Sequence, residues 1–117
     1  MRVLADLNSL VGLVHDWWFD LEQAVYDEQT KRFSIQLGEK RRGPYSGRVV
    51  TVTGAMGIRV IDEAEIGIYD FNQIQVSPGC VRLTSGFPLE IQVDVGPVSE
   101  VSVETDTDSF YAPVLND

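Results

Sequence analysis

In 117 residues the chain has one cysteine and one histidine. A lone thiol, Cys80, cannot close an intramolecular disulfide. One sulfur with one imidazole also cannot supply a zinc centre of the usual His and Cys ligands. Basic residues are few. Nine Lys and Arg stand against eighteen Asp and Glu, for a net charge of -9, and a surface of that sign repels phosphate backbones. No apolar run approaches the roughly 20 residues that a membrane helix requires. The opening MRVLADLNSL breaks its apolar residues with Asp6 and Asn8, unlike a secretory leader. These absences predict a protein of the reducing cytoplasm, with no metal or cofactor and with neither nucleic acid nor membrane among its partners.

Hydrophobic residues make up 44%, a globular share rather than a disordered one. The length suits a single domain, residues 1–117, that buries roughly 65% of the surface its unfolded form exposes. The strongest pattern is in residues 14–37, VHDWWFDLEQAVYDEQTKRFSIQL. At period two, His15, Trp17, Phe19, Leu21 and Val25 fall on one side, and Asp16, Trp18, Asp20, Glu22, Ala24 and Tyr26 on the other. Residues 27–31 suit a turn. Phe33, Ile35 and Leu37 then alternate inward with Arg32, Ser34 and Gln36 outward. The prediction is a β-hairpin with one apolar face and one acidic face.

Before it, Val3, Leu4, Leu7, Leu10, Val11 and Val14 recur at three- and four-residue steps, which predicts a short helix over residues 3–14. A shorter version would begin at Leu7 with Asp6 as its cap. Residues 15–104 read as the strand region, with a loop over residues 38–47 after the hairpin and strands from Arg48 onward. Residues 54–57 form a glycine-rich connection, Gly96-Pro97 breaks a strand, and residues 66–71 are either a strand or an irregular crossing. Leu89, Ile91, Val93 and Val95 against Glu90, Gln92 and Asp94 make the cleanest alternation in the chain. Residues 105–117 read as a partly disordered tail anchored by Phe110 and Tyr111. Seven to nine short strands joined by glycine, proline and acidic turns predict an all-β fold. Its form would be a mainly antiparallel meander curled into a sandwich or partly open barrel, with one short N-terminal α-helix.

No catalytic set emerges. His15 and Asp16 are adjacent, so on a strand their side chains point to opposite faces, and no G-x-S-x-G elbow supplies a nucleophile. Asp20 and Glu22, two apart on one strand face, would stand about 6.5 to 7 Å apart. Any acidic strand face has that spacing, so it does not single out a glycosidase. Neither Asp62, Glu63 and Glu65 nor Asp106 and Asp108 match a calcium loop. Cys80 reads as a small buried hydrophobe. Lys40-Arg41-Arg42, with Arg48 nearby, lies among Gly43, Pro44 and Gly47, as a solvated loop would. The expectation is a protein that is not an enzyme.

Trp18 is the exception to this blandness. If Trp17 and Phe19 point inward, Trp18 points out among Asp16, Asp20, Glu22 and Tyr26. An aromatic ring on an acidic face suits an Arg- or Lys-rich protein partner. These five residues are the candidate binding site.

The stretch Asp6-Leu7, Leu10-Val11 and Val14-His15-Asp16, the alternating hairpin, and the later strands through LEIQVDV resemble small uncharacterised bacterial all-β domains. Some of those are immunity proteins of toxin systems. The resemblance implies a non-catalytic bacterial domain that neutralises a protein partner, and it transfers no binding residue. The alternatives are a small-molecule or carbohydrate binder using a barrel or sandwich cavity, and a structural homo-oligomer subunit. A homodimer of that kind would pair through residues 89–95 as an edge strand.

Overall fold

Asp6 decides where the helix starts. Its carboxylate accepts from the Ser9 amide at 2.7 Å, which satisfies one of the free donors of a first turn. The helix, α1, is therefore Leu7–Val14. The expected start at residue 3 is wrong, because residues on the N-terminal side of that cap take main-chain partners in the sheet. In the computed structural model, which describes residues 1–114, the strand β1, Arg2–Leu4, runs parallel to β10, Ser109–Val114. So much of the expected tail is a strand. Residues 115–117 of that tail lie outside the described residues.

The remaining strands are β2 (Trp18–Asp20), β3 (Val25–Asp27), β4 (Arg32–Gly38), β5 (Arg48–Asp62), β6 (Ile68–Asp70), β7 (Gln73–Ser77), β8 (Cys80–Thr84) and β9 (Leu89–Glu104). They form one ten-stranded sheet in the order β1-β10-β9-β5-β4-β2-β6. Off this path, β3 pairs with β4, and β7 and β8 continue from β9. Every pairing except β1 with β10 is antiparallel. Among the described residues the fold is all-β with one α-helix, and the sheet does not close into a barrel.

Two long strands give the sheet its shape. β5 and β9 run through the glycines expected to interrupt them, pairing from Val49 with Glu104 to Asp62 with Leu89, with register shifts between Thr53 and Gly57. These are bulges, which bend a strand without ending it. Gly54 is required there, since its φ is +70° and an added Cβ would run into the Val98 carbonyl oxygen. The strand at residues 89–95 is central, with β5 on one side and β8 on the other, so it offers no edge. Of the ambiguous residues 66–71, Ile68–Asp70 form a strand.

The core lies on the face carrying Phe33, Ile35, Leu37, Val50, Val52, Ile91, Val93, Val101 and Val103, and Leu10 and Val14 of α1 pack onto it. Each such side chain contributes about 1.5–3 kcal/mol when fully buried. At one end the core is aromatic: Phe19 packs against Tyr69 and Phe71 at 6.0 and 6.3 Å, and Tyr69 against Phe87 at 6.3 Å. Among the described residues no helix is long and apolar enough to cross a membrane.

Candidate functional site

β2 is only three residues long, yet it sets the directions of both tryptophans. Phe19 pairs with Leu37 of β4 and Tyr69 of β6, and all three are buried. Alternation then turns Trp18 and Asp20 to the outer face, where both are half-buried. Trp18 sits between Gly38 and Asp70 in the sheet. Its ring lies 6.5 Å from that of Phe87, and the Arg41 guanidinium stands 5.3 Å from its centre.

Asp20 caps the 3-10 turn that follows, Leu21–Gln23, by accepting from the Glu22 amide at 3.0 Å. Glu22 is exposed on that turn, not on a strand face as alternation predicts. Asp16 is exposed in a left-handed corner with φ 66°, and its amide donates to the Phe71 carbonyl at 2.9 Å. At this corner the expected opposition of His15 and Asp16 fails. His15 Nδ1 lies 3.3 Å from Asp16 Oδ2, because a left-handed residue brings neighbouring side chains together where a strand would separate them.

Tyr26 departs furthest from expectation. It pairs with buried Phe33, so it shares the core face, and its hydroxyl donates to the Ala55 carbonyl at 3.2 Å. Val25, expected inward, is 57% exposed. The 3-10 turn is the cause: it interrupts the two-residue period, and the strand resumes with its faces exchanged. The structure therefore strings Asp16, Trp18, Asp20 and Glu22 along β2 and its flanks, with Asp16 before the strand and Glu22 after it, and places Tyr26 on the other side of the sheet.

The basic loop between β4 and β5 covers the Trp18 end of β2. Gly38 lets it fold back, since a Cβ there would overlap the Pro44 carbonyl oxygen, and the Gly47 amide returns to the Leu37 carbonyl at 2.9 Å. Lys40, Arg41 and Arg42 are exposed, as expected of a solvated loop. Arg48 differs. It is half-buried, donates to the Leu13 carbonyl, and lies 4.3 Å from the Trp17 ring centre. Both tryptophans are thus capped by arginines, Arg41 from this loop and Arg48 from the start of β5 that follows it. Sequence reasoning missed these caps, because Arg41 is 23 and Arg48 31 residues from its ring and no local pattern links them.

Trp17 itself faces a cleft of about 750 Å³ between this loop and the turn before β10, with Leu13, Arg48, Asp106, Asp108 and Phe110 among its walls. Beneath the site, the Tyr69 hydroxyl donates to Asp62 and accepts from the Ile66 amide at 3.1 Å. Burial, and then the bond to Asp62, pushes the Tyr69 pKa up. Among the described residues no three His, Cys, Asp or Glu side chains converge as metal ligands.

Comparison with protein families, curated proteins and solved structures gives no match.

Proposed function

We propose that this chain is a non-catalytic binding protein that recognises a basic protein partner through the outward side of β2 and its flanks, which carry Asp16, Trp18, Asp20 and Glu22. The observation that carries the reading is Trp18, half-buried on an acidic face with a guanidinium over its ring. Arg41 occupies the position that a partner's arginine would take. Among the described residues it makes no ion pair, so little opposes its displacement. Cation–π contacts at exposed sites are worth about 0.5–1 kcal/mol. The surrounding carboxylates add steering toward a positively charged surface. Neutralising a bacterial toxin would fit this chemistry.

An arginine-rich peptide titrated into a Trp17→Phe background tests it, with Trp18 as the sole indole. The expected result is saturable change in Trp18 emission, weakened about tenfold or more by Asp20→Lys with Glu22→Lys. The same charge change at exposed Asp94 and Glu104 should weaken it far less. Equal loss from both double variants would reduce the binding to net charge and contradict the reading.

A second reading is a small molecule or carbohydrate in the Trp17 cleft, whose volume of about 750 Å³ lies within the roughly 300–1,000 Å³ usual for ligand sites. It rests on a separate surface: Trp17→Ala would abolish such binding and leave peptide binding at Trp18 in place.

A further inference from the structure

The sheet has several edges, and among the described residues one of them is both long and largely apolar. β1, β3 and β6 are three residues each. β7 has five residues, exposes Gln73 and Gln75, and is followed by Pro78. The end of β10 beyond β1 contains Pro113. Short length, polar side chains and proline are the usual means of keeping an edge from pairing. The second half of β5 is six residues long, has no proline, and carries more exposed apolar than charged side chains. Residues 57–62 pair with β9 alone, and among the described residues no strand lies on their other side. Ile58, Val60 and Ile61 along this stretch are 39%, 42% and 38% exposed.

Two hydrogen bonds show which main-chain groups face outward. Glu63 donates to the Pro88 carbonyl at 3.1 Å, in line with the β5–β9 register, and Val95 donates to the Gly79 carbonyl at 3.0 Å, in line with the β8–β9 register. Beyond the register shifts, odd-numbered residues of this stretch therefore bond to β9, since antiparallel pairing alternates between the two sides of a strand. Ile58, Val60 and Asp62 are left presenting their amides and carbonyls to the open edge.

We infer that this edge pairs with the same edge of a second copy of the chain, antiparallel about a two-fold axis, extending the sheet across the dimer. The axis keeps like faces together, so residues of equal parity must meet. With Ile61 facing Ile61 of the second copy, Val60 exchanges main-chain bonds with Asp62 of that copy. On the outer face Arg59 then stands opposite Glu63 of the second copy, and the pair occurs twice. Within one chain Arg59 and Glu63 lie four strand positions apart, about 13 Å, beyond any direct contact. A one-step alternative with Val60 on the axis sets Arg59 against Ile61 and Ile58 against Asp62, and so loses the charge match. The favoured register places opposite charges together and apolar residues on the axis, which is why the occupant is a copy of this chain.

An edge of six residues makes a small interface, so the dimer should be weak, in the range of roughly 10–100 µM. Sedimentation equilibrium of the full chain at about 0.15 M salt or above, where net repulsion between like-charged copies is screened, tests it. The weight-average mass should rise with concentration from 13.0 kDa toward twice that value. Arg59→Glu and Ile61→Lys alter exposed side chains, and circular dichroism checks that each variant is folded. Each should weaken association about tenfold or more, and Arg59→Glu combined with Glu63→Arg should restore it to within about threefold of the parent. A chain that stays monomeric to several hundred micromolar, or a dimer indifferent to both single variants, would overturn the inference. Failure of the charge swap to restore pairing would overturn the register.

Discussion

The Arg41 guanidinium stands 5.3 Å from the centre of the Trp18 ring, within the roughly 6 Å over which a cation feels a ring's quadrupole. Arg41 is exposed and Trp18 half-buried, so removing the arginine uncovers the ring without opening the core. In a Trp17→Phe background, Arg41→Ala should shift Trp18 emission to the red and increase its quenching by acrylamide. Stability should change by no more than about 1 kcal/mol, the usual size of an exposed cation–π contact. Unchanged emission would mean that Arg41 does not cover the ring in solution.

Tyr69→Phe removes a hydroxyl that joins Asp62 to the Ile66 amide. Leaving those groups without their partner should cost about 1–3 kcal/mol in urea unfolding. The pH dependence has a definite sign. Tyr69 has a folded pKa raised above its ordinary value of 10.0, so its contribution is full below about 10 and is lost as pH rises through the folded value. The parent should therefore weaken on its alkaline side through Tyr69, and Tyr69→Phe should remove that part of the slope.

Two glycines should respond to alanine in opposite directions. At Gly38 the added Cβ meets the Pro44 carbonyl oxygen, a main-chain atom that can move only with the loop. Gly38→Ala should cost about 1–3 kcal/mol and alter the emission of both tryptophans, because the loop carries Arg41 and runs straight into Arg48. Gly12 lies in α1, and nothing stands within 4 Å of its added Cβ. Gly12→Ala should stabilise by about 0.5–1 kcal/mol. Chemical denaturation of the two variants beside the parent checks both.

Asp6 holds the start of α1, and the Ser9 amide keeps its carboxyl below the ordinary carboxylate range. A depressed folded pKa adds stability that is present above the unfolded value and lost as pH falls through the folded one. Asp6→Asn keeps a capping oxygen but removes the charge. It should make stability less dependent on pH in the acid range, whereas Asp6→Ala should also lower the melting temperature at neutral pH.

Much of this fold could be read from alternation, and the limits of alternation account for the errors. Phe33, Ile35 and Leu37 read inward and are buried, and the turn between β3 and β4 falls where residues 27–31 suggested. Asp6 as a cap was legible because the signal is local. The reading failed where a short irregular piece changes phase: the turn at Leu21–Gln23 exchanged Val25 with Tyr26. It also failed at Gly54 and Gly96, where glycines marking bulges resemble glycines ending strands. The place of residues 89–95 at the centre of the sheet depends on pairing with β5 and β8, which no local pattern encodes. The site was half legible for the same reason. Trp18 and Asp20 follow from the period of β2, whereas Arg41, Phe87 and Asp70 arrive from distant segments.

The most direct measurement of the proposed binding surface is a ¹H–¹⁵N correlation titration of the full chain with an arginine-rich peptide. The account predicts that the largest shifts fall on the Trp18 indole, the Arg41 side chain and the amides of residues 16–22, and that they saturate together. Shifts spread evenly over the acidic surface, or confined to the Trp17 cleft, would contradict it.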